Sequence, residues 1–184
     1  MIVSLSPPGI KCQVGDFVVL IDPPVGRKAG LILYTTFQLP LKFPLSPETI
    51  AGAGEYEISG VRVKGINLDK ETKDQLLRTV YSAELEGIRL AFLGELGEES
   101  ISEILDKLGT VDILFLSASR GSAKQITTLI KQVDPKIIIP VGDKTVKLLT
   151  EELGQKVKAE EKLVIKKKEL EKGQIAHKLV WLKS

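Results

Sequence analysis

The sequence predicts a single-domain α/β protein in which sheets pack against each other and helices lie outside them. Three observations carry that expectation. Short β-branched runs and hairpin turns fill the first half of the 184-residue chain. Alternating strand and helix periodicities follow, and each helical segment has only one apolar stripe. A one-striped helix covers a sheet from outside, and strands that are apolar throughout need cover on both faces. The length suits one domain with a sizeable core, and no linker, low-complexity tract or repeat divides residues 1–184.

The elements follow in order. Phe17-Val18-Val19-Leu20-Ile21 is a β-branched run stopped by Asp22-Pro23-Pro24. Leu31-Ile32-Leu33-Tyr34-Thr35 is a second, reached after the turn-forming stretch 26–30. Tyr56–Ile58 and Val61–Val63 alternate in period two across Ser59-Gly60, and Val80–Leu85 and Ile88–Leu93 flank Glu86-Gly87, so two hairpins are expected. After Gly94, Ile101, Ile104, Leu105 and Leu108 recur at helical spacing, with Ser100 as N-cap and Gly109 as stop. Asp112–Leu116 then reads as a buried strand. A helix on Ala123, Ile126, Leu129, Ile130 and Val133 follows, capped by Ser122 and ended before Asp134-Pro135. Ile137–Ile139 is a strand, Val146, Leu149 and Leu153 mark a helix starting near Asp143, and strands at Leu163–Ile165 and Ile175–Leu182 finish the chain.

Composition is that of an ordinary globule, 43% hydrophobic and 27% charged, with 26 Lys and Arg against 24 Asp and Glu. A net charge of +2 gives no global pull toward nucleic acid or an anionic membrane. The lysine-rich stretch around Lys166-Lys167-Lys168 interleaves with Glu160, Glu161, Glu169 and Glu171, the pattern of a solvated mixed-charge face. Cys12 is the only cysteine, so no internal disulfide forms. Segment 1–11 carries neither a basic leader nor an apolar signal core, and no apolar run approaches the ~20 residues of a membrane helix. A cytoplasmic, reducing location and no membrane contact are the expectations.

Several segments, in order, resemble the short bacterial, ascorbate-lactonase-like branch of the metallo-β-lactamase superfamily. Gly9-Ile10-Lys11-Cys12 stands where that branch has a Gly-His-Ala/Ser-Cys strand, and Val19–Pro23 is similar to its next strand and Asp-Pro turn. Ala29–Thr35 resembles the strand leading into the metal loop, and Gly52–Ile58 with Gly60 and Gly65-Ile66 resembles the Pro-Gly-Glu-Tyr-Glu segment and the strand after it. Leu93–Gly97 is similar to the Gly-Asp turn, and Val111–Leu116 and Pro135–Pro140 to the last core strands. The likeness spans nearly the whole chain and is weakest after Gly142. It implies an αββα sandwich, in agreement with the layers read from periodicity.

Where the family's metal loop reads Thr-His-x-His-x-Asp-His, the same register here reads Thr35-Thr36-Phe37-Gln38-Leu39-Pro40-Leu41. The resemblance therefore puts Thr36, Gln38, Pro40 and Leu41 at ligand positions. Glu95 takes the place of the bridging aspartate and Gly142 lies near the final histidine. The loop after Ile66, where another histidine belongs, offers Asn67, Asp69 and Asp74. Zinc sites use imidazole, thiolate or carboxylate, and a catalytic zinc typically keeps three protein ligands. An amide and a hydroxyl are weak neutral donors, and Pro40 and Leu41 offer none. Without a metal no bound water is brought to a pKa near ~7. No metal or other cofactor is expected.

The remaining candidates each have a plain structural alternative. His177, the only histidine, reads as a strand residue before a ligand, and Cys12 as an inert core thiol with no base beside it. Gly52-Ala53-Gly54 lacks the spacing of a phosphate loop and leads into a strand, so it reads as a tight turn. Ser117 and Ser119 lack both a base and a Gly-x-Ser-x-Gly elbow. Asp22, Glu55, Asp69, Glu95 and Asp143 could gather at the strand ends as an oxygen-only site for Mg²⁺ or Mn²⁺. Asp22 also suits its turn, and Asp143 suits a helix N-cap.

Phe37, Leu39, Leu41 and Phe43 alternate with polar or proline positions and need either a cleft to fill or an interface to join. The interface is the favoured expectation. The functional expectation is a catalytically degenerate binding protein, serving a protein partner, a second copy or a small ligand. A hydrolase of lactones or phosphoesters with a rebuilt carboxylate site is the alternative. Nucleic-acid binding is a further alternative that the near-neutral charge disfavours.

Overall fold

The computed structural model describes residues 1–40, 44–70, 72–73, 75–97, 101–118, 121–171 and 177–183. Two sheets form its body. The first contains β1 (Ile2–Ser6), β2 (Gly9–Val14), β3 (Phe17–Ile21), β4 (Leu31–Leu33), β6 (Thr49–Ile50) and β14 (Lys162–Val164), in the order β14-β1-β2-β3-β4-β6. The second contains β7 (Gly54–Ile58), β8 (Val61–Asn67), β9 (Leu76–Leu85), β10 (Ile88–Glu95), β11 (Ile113–Ser117), β12 (Ile137–Pro140) and β15 (Lys178–Leu179), in the order β15-β12-β11-β10-β9-β8-β7. A short strand, β5 (Thr36–Gln38), joins it by pairing with β9.

Side-chain alternation creates two apolar layers from one sheet. Ile113 and Phe115 of β11 enter the layer between the sheets, where Val3, Cys12, Val19 and Leu31 form one row across β1 to β4. Leu114 and Leu116 point the other way. They meet Ile104 of α1 (Ile101–Leu108), Ile126 and Leu129 of α2 (Ala123–Val133) and Leu149 of α3 (Asp143–Leu153). The one-striped helices thus cover the outer face of the second sheet, as their periodicity required. A short helix, α4 (Lys167–Glu171), sets Leu170 against the layer between the sheets. A small parallel pair, β13 (Ala159–Glu160) with β16 (Trp181–Leu182), completes the chain.

Both hairpins turn where expected, with positive φ at Ser59 and Gly60 and at Glu86 and Gly87, the signature of a two-residue turn matched to strand twist. Ser122 precedes α2, and its N–H donates to Gln125 Oε1, while Asp134 ends the helix in the left-handed conformation.

Three expectations are corrected. The run Leu31–Thr35 does not continue as one strand. β4 ends at Leu33, and β5 crosses to the other sheet because Thr36, Phe37 and Gln38 pair with Arg78, Leu77 and Leu76. Asp143 is the first residue of α3, not its cap. Gly142, at φ 88°, holds that place and its carbonyl accepts from Thr145 and Val146. The described part of Ile175–Leu182 divides at Val180, because β15 pairs with β12 and β16 with β13. Ser100, Ile175 and Ala176 lie outside the described residues. Among the described residues no helix is long and apolar enough to cross a membrane.

Candidate functional site

Strands β10, β11 and β12 run parallel, so Glu95 and Ser117 at the carboxyl ends of the first two lie together with Val141, just past the end of the third. Ligand crevices in such sheets form outside those ends. The first sheet and the chain leaving it toward β5 face them with Pro8-Gly9-Ile10, Ile21-Asp22 and Tyr34-Thr35-Thr36, and these segments enclose a cleft of about 440 Å³. Its floor is apolar, built from Ile10, Ile21, Phe92 and Phe115, with the two phenyl rings stacked at 4.7 Å.

Asp22 anchors the cleft wall. Its carboxylate accepts the Thr35 N–H at 2.7 Å and the Thr35 hydroxyl at 2.6 Å, and its own N–H donates to the Leu33 carbonyl at 2.8 Å. Burial pushes its pKa up, the hydrogen bonds from Thr35 and Thr36 oppose that, and the charge of Glu95 adds to the rise. Tyr34 is also raised, by burial and by the charge of Asp22. Two glycines allow the close approach. A Cβ on Gly94, at φ 60°, would lie 2.6 Å from the Thr35 hydroxyl, and one on Gly9 would lie 1.9 Å from the Ile21 carbonyl oxygen.

Glu95 opens onto the cleft from the end of β10, with its side chain 52% exposed. Behind it stands Arg78, opposite Thr36 in the β5–β9 register. The Arg78 guanidinium donates to the Glu95 carbonyl at 3.2 Å and lies 3.9 Å from its carboxylate.

The expected site residues therefore separate. Thr36 and Glu95 line the cleft, and Gly142 is exposed beside Val141. Gln38, Leu39 and Pro40 border a neighbouring hollow of about 620 Å³, and Leu41 lies outside the described residues.

The five-carboxylate cluster is not assembled, and this is a correction. Only Asp22 and Glu95 share the cleft. Glu55 borders another hollow beside Tyr56, Arg62 and Lys64, because β7 is the far edge strand. Asp69 bonds Asn67 in the turn after β8, and Asp143 is exposed on α3. Asp74 lies outside the described residues. Among the described residues no three His, Cys, Asp or Glu side chains gather as a metal site.

Phe37, expected in an interface, is instead buried, with its ring 5.7 Å from that of Tyr34. Pairing of β5 with β9 turns it inward. Leu39 is half-buried, and Phe43 lies outside the described residues.

His177 is 2.7 Å from Asp134, at the amino ends of the parallel strands and so remote from the cleft. The Cys12 thiol is fully buried and burial pushes it up to about 12, which makes it inert. In the Gly52–Gly54 turn, the Gly52 N–H donates to the buried Tyr81 hydroxyl at 2.8 Å, so it is not free to cradle phosphate. Ser117 lines the cleft, and Ser119 lies outside the described residues. Thr35 and Arg78 escaped sequence reasoning. The first lay one residue before the positions of interest, and the second lay just before the strand expected from Val80, where no motif marked it.

Residues 34–142, more than half of the chain, match the family model of a beta-lactamase superfamily domain. The chain belongs to the metallo-β-lactamase superfamily. Solved structures share the fold of this superfamily member. A candidate zinc-dependent hydrolase of the superfamily from Thermotoga maritima aligns with a TM-score of 0.73 at 16% identity, covering 98% of this chain and 97% of the other. A candidate metal-dependent hydrolase from Parabacteroides distasonis aligns with a TM-score of 0.59 at 16% identity, covering 79% and 84%. A metallo hydrolase from Ignicoccus hospitalis aligns with a TM-score of 0.55 at 11% identity, covering 90% and 100%. By sequence, no curated protein matches the chain.

The metal that this superfamily implies does not fit the residues present. Of the positions where the resemblance puts ligands, Glu95 supplies a donor type that zinc favours, while Asp69 in the loop after Ile66 bonds Asn67 and does not line the cleft. Thr36 and Gln38 supply neutral oxygens, and Pro40, Leu41 and Gly142 have no side-chain donor. Asp22, the other carboxylate in the cleft, already has both oxygens engaged by Thr35.

Proposed function

We propose that this superfamily member is a metal-free binding protein whose cleft takes a small ligand without hydrolysing it. One observation supports this above the rest: the two carboxylates of the open cleft are held by protein partners, Asp22 by Thr35 and Glu95 by Arg78, around the register where metal ligands would stand. Hydrolysis would need an activated nucleophile. Ser117 has a hydroxyl there, but the only histidine, His177, is paired with Asp134 at the other end of the strands.

The cleft is of ligand size and has an apolar floor with a few polar groups at its rim, the usual make-up of a small-molecule site. A protein partner at the Phe37–Phe43 loop is less well supported, since Phe37 is already buried. The reading extends to a cytoplasmic location, which suits a fold whose single thiol, Cys12, leaves it independent of disulfides.

Calorimetric titration of untagged protein with Zn²⁺ and Mn²⁺, alongside assays on lactone and phosphodiester substrates, tests the proposal. The expected result is no stoichiometric metal binding and no turnover above that of buffer. Stoichiometric binding accompanied by turnover would overturn it.

A further inference from the structure

We propose that the ligand of this cleft is a small organic monocation, a primary ammonium group on a compact apolar body. The proposal rests on the reading of the cleft as metal-free. Among the described residues that line it, Asp22 and Glu95 are the carboxylates, and no lysine or arginine is present. Arg78 stands directly behind Glu95, with its side chain 11% exposed, and balances one of the two charges. Two carboxylates against one guanidinium leave a single negative charge, which one ammonium group neutralises. An anion of the same shape would meet that charge with no side chain of opposite sign among the described residues of the wall.

Hydrogen-bonding capacity agrees with the charge. An ammonium group has three N–H donors and no acceptor, whereas a carboxylate only accepts. Glu95 and Ser117 are register neighbours on β10 and β11, which sets an oxygen acceptor of each strand at the same end of the cleft. The Asp22 carboxylate, already accepting from Thr35 and from the Thr36 N–H, contributes its charge to the cleft rather than a free acceptor. Thr36 adds a hydroxyl to the rim. Below these groups Ile10, Ile21, Phe92, Phe115 and Val141 offer only carbon, so the rest of the ligand must be apolar. About 440 Å³ admits a body the size of a single ring with a short arm.

Phenethylamine and its carboxylate counterpart of equal shape, 3-phenylpropionate, make the test. Each is titrated into chelator-treated full-length protein at pH 7 and followed by calorimetry and by amide chemical shifts. Phenethylamine is expected to bind saturably, with shifts at Glu95, Ser117 and Thr36, and to weaken as salt is raised. The carboxylate is expected to bind about ten-fold more weakly or less, the scale of losing a charged hydrogen bond. Glu95→Gln removes a mostly exposed charge and should keep the fold, checked by circular dichroism, while lowering amine affinity about ten-fold. Equal binding of the two probes, no saturable amine binding, or unchanged affinity in Glu95→Gln would overturn the proposal. If the protein proves to hold a metal, the metal-free reading fails; if it is metal-free and shows no preference for the amine, this inference alone fails.

Discussion

Asp22 and Asp112 lie at opposite ends of the sandwich and answer burial in opposite ways. Asp112 precedes β11 and meets Arg89 at the start of β10 and Lys136 before β12, so it sits at the amino ends of the parallel strands. Its carboxylate accepts from the Arg89 N–H at 2.9 Å, from the Arg89 guanidinium at 3.0 and 3.1 Å, and from the Lys136 ammonium at 3.2 Å. Burial alone would raise its pKa, but these partners hold it down at about 2. Asp22, at the carboxyl ends, receives only neutral donors, and its pKa stays raised by burial and by Glu95. One end of the protein is neutralised by its own cations. The other keeps an uncompensated charge beside a cleft, which makes its carboxylate a candidate binding group.

Four experiments break or sharpen that contrast. The largest expected effect belongs to Asp112→Ala, which leaves Arg89 and Lys136 facing each other over a buried gap. Loss of about 3 kcal/mol in urea unfolding is expected, at the low end for a broken buried pair because both cations reach solvent. Asp22→Ala comes next, with about 1–3 kcal/mol lost through the orphaned Thr35 donors. Asp22→Asn should cost less than about 1 kcal/mol, since its amide oxygen still accepts the Thr35 N–H. A greater cost for Asp22→Ala than for Asp112→Ala would reverse the assignment of structural and cleft ends.

Acid unfolding separates the two carboxylates by sign. Asp112 has a depressed pKa, so its stabilisation is present above its ordinary value of 3.8 and is lost as pH falls through about 2. The loss should be about 1–2 kcal/mol after allowance for its half-exposed partners, and absent in Asp112→Asn. Asp22 has a raised pKa, so its protonation favours the folded state as pH falls. Asp22→Asn should therefore lose stability more steeply than the parent on acidification. A parallel profile would show that Asp22 is not perturbed in the folded protein. The smallest effect is expected for Lys167→Ala. Its pair with Glu171, at 4.0 Å, is exposed, and its removal should change stability by less than about 0.5 kcal/mol.

Much of the fold was legible because burial writes itself into periodicity. Ile113 to Leu116 alternates between two apolar layers, and such a strand can only lie between a second sheet and a helix layer. The hairpins were legible in Ser59-Gly60 and Glu86-Gly87, where the turn demands positive φ. The crossing of β5 to the second sheet was not, because nothing in Thr36-Phe37-Gln38 names Arg78, Leu77 and Leu76 as partners. That pairing decides where Phe37 goes, so the expected interface residue became a core residue. The cleft was legible at Asp22 and Glu95 through the resemblance. Arg78 was not, because its role depends on a contact with Glu95 across 17 residues, and local sequence carries no trace of that.

Elemental analysis of the untagged protein, purified without chelator, tests the metal-free cleft most directly. Metal well below one equivalent per chain is the predicted result, with the melting temperature unchanged on later addition of a chelator. One or two tightly held transition-metal ions per chain, and a melting temperature that falls when they are stripped, would contradict it.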